Sequence, residues 1–192
     1  MRWKKHSRFE GQHAFLSASK HSWIGYSDDE LVKSYYAFLA TKKGTKQHEL
    51  AAMLIEQGEK LPDIRRTLNM YVNDAIDFGM RPEQKLYFSD NCFGTADAIS
   101  FDEDLGFLRI HDLKTGVTPV TNKTGRIPQL EIYAAYFFLE YDYDLRDIDI
   151  ELRVYQNDDI IVEKPYIDDI APIMDKIVYF DKLIEQIKRE EQ

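Results

Sequence analysis

Near residue 80 the hydrophobic pattern of this chain changes period, and that change limits the possible folds more than any other feature. Before it, apolar residues recur at helical spacing. After it come three short β-prone segments, about 84–89, 93–101 and 106–114, separated by turn residues. The run Asp102-Glu103-Asp104-Leu105-Gly106 reads as a hairpin turn between the second and third. Upstream, Ser27 followed by Glu30 forms a capping box that starts a helix from Asp28 to about Thr41, with Leu31, Val32, Tyr35, Phe38 and Leu39 on its apolar face. Gly44 interrupts the pattern and Thr45 can cap a second helix carrying His48, Leu50, Ala51, Leu54 and Ile55, which Gly58 ends. A third helix is expected from about 63 to 78, with Ile64, Leu68, Tyr71, Val72 and Ile76 inward. Beyond the strands follow a helix from about 126 to 140, strands near 148–156 and 160–162, and a closing helix from 170 to 189. The order ααα–βββ–α–ββ–α predicts an α/β fold: a mixed central sheet flanked by helices, in one domain over residues 1–192.

Bulk properties narrow the class. Nothing approaches the ~20 apolar residues of a spanning helix, and the basic start MRWKKHSRFEGQH lacks the apolar stretch of a secretory signal. The single cysteine, Cys92, excludes an internal disulfide, a cysteine zinc site and a four-cysteine iron–sulfur cluster. The expectation is a reduced, cytoplasmic protein without a membrane partner. The net charge of −9 is unevenly spread: from Glu140 onward there are 16 acidic and 7 basic side chains, and the rest of the chain is neutral. Five bases (Arg2, Lys4, Lys5, Arg8, Lys20) stand against Glu10 in the first 23 residues, with further bases at Lys42, Lys43, Lys46, Lys114, Lys123 and Arg126. Overall charge therefore neither favours nor excludes an anionic polymer as substrate.

Two carboxylates are set apart by the hairpin. If it is symmetric about the 104/105 bond, opposed positions sum to 209, which pairs Asp97 with Asp112. Their Cβ atoms would then lie about 4.5–5.5 Å apart on one face, and Lys114, two residues after Asp112, points to the same face. Opposed carboxylates repel unless a positive charge lies between them. A divalent cation preferring oxygen ligands, Mg²⁺ or Mn²⁺, would supply it; so, in part, would the lysine alone on a solvated sheet face. The surrounding Ala96, Ala98, Ile99, Leu108 and Ile110 suggest buried strands, where charge is costly.

The segments Gly94-Thr95-Ala96-Asp97, Asp112-Leu113-Lys114 and Gln129-Leu130-Glu131-Ile132-Tyr133, preceded by Gly44-Thr45-Lys46-Gln47-His48, resemble successive motifs of the PD-(D/E)xK nucleases, in their RecB-like exonuclease branch. The likeness spans Gly44 to Tyr133, and Phe15-Leu16-Ser17-Ala18-Ser19-Lys20 adds a texture similar to nucleases of bacterial viruses. The resemblance implies a restriction-endonuclease-like core and hydrolysis of DNA. His48, Asp97, Asp112 and the Leu113 carbonyl would be metal ligands, with Lys114 acting on the attacking water. It also implies that Gln129 and Tyr133, four apart on one helix face, meet the DNA backbone, joined by Arg126 and Lys46. It implies an exonuclease of recombination, repair or viral DNA processing, working beside a single-strand annealing or recombination protein and able to assemble as a homo-oligomer. A structure-specific endonuclease and a non-catalytic DNA-binding module on the same fold are the rival readings. Many relatives carry an iron–sulfur cluster; Cys92 alone cannot.

Other residues read more plainly. His111 should face away from Asp112 as a structural residue, while His6, His13 and His21 read as solvated. Ser17 and Ser19 read as capping or turn residues, Glu83 as an exposed strand-end carboxylate or, as the alternative, a helper to a second metal, and Tyr136, Phe137, Phe138 and Tyr141 as core aromatics. The lysines near His48 could grip a phosphate backbone or form a solvated face.

Overall fold

The computed structural model describes residues 1–9, 14–38, 46–114, 120–121 and 125–190, with the side chains of 36–38 and 46 excepted. Three helices come first: α1 (Asp28–Phe38), α2 (Lys46–Gln57) and α3 (Thr67–Asp77). Then follow β1 (Arg81–Ser89), β2 (Cys92–Asp102), β3 (Phe107–Leu113), α4 (Pro128–Tyr141), β4 (Asp149–Gln156), β5 (Asp159–Glu163) and α5 (Ile167–Glu190). This is the expected order, with short 3-10 turns at Ser7–Phe9 and Ala18–Gly25 that the hydrophobic pattern did not signal. His13, Leu39, Thr41, Lys42, Lys43, Gly44, Thr45 and Lys123 lie outside the described residues.

The capping box is present: the Glu30 carboxylate accepts from the Ser27 N–H at 2.9 Å, and Ser27 Oγ accepts from the Glu30 N–H at 3.4 Å. Gly58 ends α2 with φ +66. Its N–H bonds to the Ile55 carbonyl and that of Glu59 to Leu54, the paired bonds of a Schellman cap. The third helix departs from expectation. It starts at Thr67, and Ile64 is 52% exposed instead of inward. The first free N–H, that of Thr67, bonds to the Asp158 carboxylate at 2.9 Å, so a residue 91 positions away sets where the helix begins.

The five strands form one mixed sheet in the order β1-β2-β3-β4-β5. All neighbours are antiparallel except β3 and β4, which run parallel and are joined through α4. In the β2–β3 hairpin the observed pairs, from Ala98↔His111 to Asp102↔Phe107, sum to 209 as the turn predicts; the ladder ends there, and the same register carried one step on would set Asp97 against Asp112. Each sheet face is covered. On one, Ile99, Leu108 and Ile110 pack with Ile132, Tyr136 and Phe137 of α4 and Ile177 and Phe180 of α5. On the other, Ala98, Leu113 and Tyr155 pack with Ala51 and Leu54 of α2 and Tyr71 and Val72 of α3. Burial of this kind stabilises at roughly 25 cal/mol per Å² of apolar surface. No helix among the described residues is long and apolar enough to cross a membrane.

Two histidines separate here. His111 is fully buried on the α3 side, against Phe78 and the Tyr155 hydroxyl at 3.2 Å. Burial, then the charges of Arg153 and Arg109, lowers it to about 3, so it stays neutral and structural. His6 corrects the solvated reading: its side chain is 16% exposed, and Nε2 pairs with the buried Glu140 carboxylate.

Candidate metal centre

At the end of the sheet away from the β2–β3 turn, α2 approaches from one face and α4 from the other. His48 lies on α2 with Ala51 and Ile55, the side that packs on the sheet, and this turns the imidazole toward β2. Its Nδ1 is 3.2 Å from Asp97 Oδ2. The same oxygen accepts the Leu113 backbone N–H at 2.9 Å, so Leu113 holds Asp97 through its main chain while its side chain fills the second core.

Glu83 completes the cluster. The β1–β2 pairs sum to 180, from Arg81↔Ile99 to Tyr87↔Phe93, which sets Glu83 against Asp97; that rung is missing from the ladder. Glu83 has φ +48, in the left-handed region that a residue with a Cβ occupies at a cost. Such strain, about 1–3 kcal/mol, persists where surrounding structure imposes it and gathers at functional sites. One ligand atom each from His48, Glu83 and Asp97 lies within 4.8 Å of the others. Glu83 is exposed, as expected for its position, but belongs to this trio. The missed signal was the register of the first hairpin, which places it opposite Asp97 just as the second places Asp112.

Asp112 and Lys114 form the other half. Asp112 is 1% exposed. Its Oδ1 accepts from Lys114 Nζ and from Gln129 Nε2, both at 3.1 Å, and Gln129 Oε1 accepts from Lys114 Nζ at 2.8 Å. Asp112 Oδ2 is 3.0 Å from the same ammonium but has no hydrogen bond among the described residues. Lys114, 27% exposed, thus stands beside a buried carboxylate with its stem anchored by a main-chain bond from its N–H to the Tyr155 carbonyl.

The electrostatics follow from three carboxylates sharing one end of a sheet. Loss of hydration, then the Asp97 charge, raises both Glu83 and Asp112 to about 7. The hydrogen bond to Asp97, assisted by the charges of Asp97, Asp112 and Glu83, raises His48 above its ordinary value despite burial. The phenols of Tyr71 and Tyr133 are pushed well up by burial and by the same three acids. The donor set is one imidazole nitrogen with the carboxylate oxygens of Glu83 and Asp97; Asp112, expected as a ligand, lies outside this trio, its Oδ2 ion-paired to Lys114. The trio fits a hard divalent cation such as Mg²⁺ or Mn²⁺. His48, Glu83 and Asp97 would hold it, with Asp112 beside them.

The residues expected to meet substrate have unlike surroundings. Gln129 faces the centre, bonded to Lys114 and Asp112. Tyr133 is 3% exposed, buried rather than open to solvent, with Cε1 only 2.9 Å from where a Cβ on Gly94 would sit. Arg126 is engaged by Glu131 and Asp169, away from the acidic cluster. Lys46 opens α2, its side chain outside the described residues. Ser17 is buried and bonds to Ser19 at 2.8 Å, the turn role expected of it. His21 is half-buried, and burial followed by the Lys114 charge lowers it.

Residues 64–168, more than half of the chain, match a family described as protein of unknown function (DUF2800), and the chain belongs to that family. The matched stretch contains Glu83, Asp97, Asp112, Lys114 and Gln129; His48 precedes it. No curated protein and no solved structure matches.

Proposed function

We propose that this member of the DUF2800 family is a divalent-cation-dependent deoxyribonuclease that hydrolyses phosphodiester bonds. The observation carrying the reading is the convergence of His48, Glu83 and Asp97 within 4.8 Å beside a lysine held on a buried aspartate. The likeness of the Gly94–Asp97, Asp112–Lys114 and Gln129–Tyr133 segments to PD-(D/E)xK motifs supports it independently.

Bound Mg²⁺ or Mn²⁺ would supply a water of lowered pKa and positive charge opposite the phosphate. The chain's own residues do the remainder. With two of its three N–H groups on Asp112 and Gln129, Lys114 has one left to donate to the attacking water, and its charge favours the phosphate oxygen that gains charge, which stabilises the transition state more than the ground state. Asp112 and Gln129 fix that ammonium in place, so little reorganisation is needed during the reaction. His48 keeps Asp97 oriented through the 3.2 Å contact at Nδ1. Within this class we assign an exonuclease of recombination, repair or viral DNA processing, acting beside a single-strand annealing or recombination partner; the motif likeness alone supports that finer assignment.

The test is a time course on end-labelled linear and closed circular DNA with Mg²⁺, Mn²⁺ or EDTA, comparing the protein with Lys114→Ala. Metal-dependent loss of linear DNA alone, reduced at least about 100-fold in the variant, is expected. Nicking of circles would make it an endonuclease. DNA binding without cleavage under any condition would replace the hydrolase with a binding module.

A further inference from the structure

We propose that Arg126 is a positioning residue for the metal centre: it locks the first turn of α4 in the rotation that places the Gln129 amide on both Lys114 and Asp112. The proposal rests on the hydrolase reading of that centre. The grip is specific. Arg126 Nε and Nη2 donate to Glu131 Oε1 and Oε2, both at 2.7 Å, a two-pronged bond to a carboxylate that is 3% exposed. Nη2 also donates to the Asp169 carbonyl at 3.0 Å, and Nη1 is 3.3 Å from the Asp169 carboxylate, so the same guanidinium reaches the first turn of α5. From β5, Glu163 accepts the Ile127 N–H at 2.7 Å and caps a helix start whose own N-cap side chain offers nothing. Two elements, α5 and β5, thus converge on the beginning of α4.

The consequence for the centre lies in helix geometry. Gln129 and Glu131 are two residues apart, about 200° around the helix, and so point to opposite sides. Any rotation that moves Glu131 moves Gln129 by the same angle, and Gln129 makes two bonds, at 2.8 and 3.1 Å, that both have to survive. Arg126 therefore acts on Lys114 at a distance, through Glu131 and the helix backbone. A substrate phosphate would have to displace a buried carboxylate and then sit among Glu131, Glu163 and Asp169. That environment repels an anion, which argues against direct backbone contact by Arg126. Lysine carries the charge but not the planar fork.

The experiment compares Arg126→Ala, Arg126→Lys, Gln129→Ala and the Arg126→Ala/Gln129→Ala double variant in two assays: hydrolysis kinetics, and salt-dependent DNA binding. The expected result for Arg126→Ala is a kcat about 10- to 100-fold lower, with DNA affinity and its salt slope unchanged. The double variant should be no slower than Gln129→Ala alone, and Arg126→Lys should recover part of the loss. A reduced salt slope with intact kcat would show phosphate contact instead, and additive losses would show that Arg126 works independently of Gln129; either overturns the proposal. Should Arg126→Ala fail to fold, the NMR signal of the Gln129 side-chain amide, identified by its absence in Gln129→Ala, decides in Arg126→Lys. A shifted signal supports the coupling and an unmoved one refutes it. That readout needs no hydrolysis, so an inactive wild-type protein would refute the nuclease reading while leaving this proposal decided on its own.

Discussion

At the scale of single residues, the centre is a set of groups whose proton affinities respond to one another's charge. Glu83 and Asp112, raised to about 7, bind protons more tightly in the folded protein than in the unfolded chain, where carboxyls titrate near 4. Between those values the folded state holds more protons, so the metal-free protein loses stability as pH rises through that window. His48, also raised, contributes stability that is fully present below about 6.5 and fades above it, in the same direction. A cation needs these groups unprotonated, so its stabilising effect grows with pH. Melting curves at pH 5.5 and 8 with and without Mg²⁺ should show a larger metal-induced rise at pH 8. Glu83→Gln should raise the metal-free melting temperature at pH 8 slightly, since Glu83 is solvent-exposed and its repulsion by Asp97 is screened, while shrinking that rise. An equal metal effect at both pH values would count against the cluster as the binding site. Asp97, Asp112 and Lys114 were legible from sequence because one short turn sets their register. Glu83 was read first as an exposed acid because its strand-start position outweighed the register of the first hairpin, which sets it against Asp97 and is interrupted there by a positive φ.

At the scale of elements, the site exists because two helices close on one strand end. Gly94 shows what that closeness requires: a Cβ there would sit 2.9 Å from Tyr133 Cε1 and 3.7 Å from Tyr136 Cε2, both rings being buried. Gly94→Ala must push Tyr133 aside, an overpacking cost of about 1–3 kcal/mol, and Tyr133 lies one helical turn from Gln129 on the same face of α4. The expected outcome is a folded protein with cleavage at least about 10-fold slower and DNA affinity little changed, measured by single-turnover rates beside equilibrium binding. Unaltered cleavage would mean that α4 does not tune the centre. Element order and most boundaries were readable from periodicity, caps and turns. The start of α3 was not, since its N-terminal N–H is satisfied by Asp158, far along the chain. The bonds of Arg126 were only partly readable: Glu131 lies five residues on, but Asp169, which ties it to α5, lies 43 residues downstream with no signature near it.

At the scale of the whole molecule, the centre draws on α2, β1, β2, β3 and α4, and the parallel pairing of β3 with β4 places α4 across the sheet face where Gln129 can reach Lys114. The acidic excess of the C-terminal part leaves the remainder neutral, which would bias an anionic polymer away from that part of the surface. The central claim is that Asp97 holds a catalytic cation. Replacing it with a thiolate changes which metals the site accepts, because sulfur favours softer ions than a carboxylate does. The most direct measurement is therefore the DNA cleavage rate of Asp97→Cys beside the parent protein in Mg²⁺, Mn²⁺ and Cd²⁺. The account predicts that the parent cleaves in Mg²⁺, that the variant does not, and that Mn²⁺ or Cd²⁺ restores part of the variant's activity. A variant that cleaves as fast as the parent in Mg²⁺, or a parent indifferent to EDTA, would contradict it.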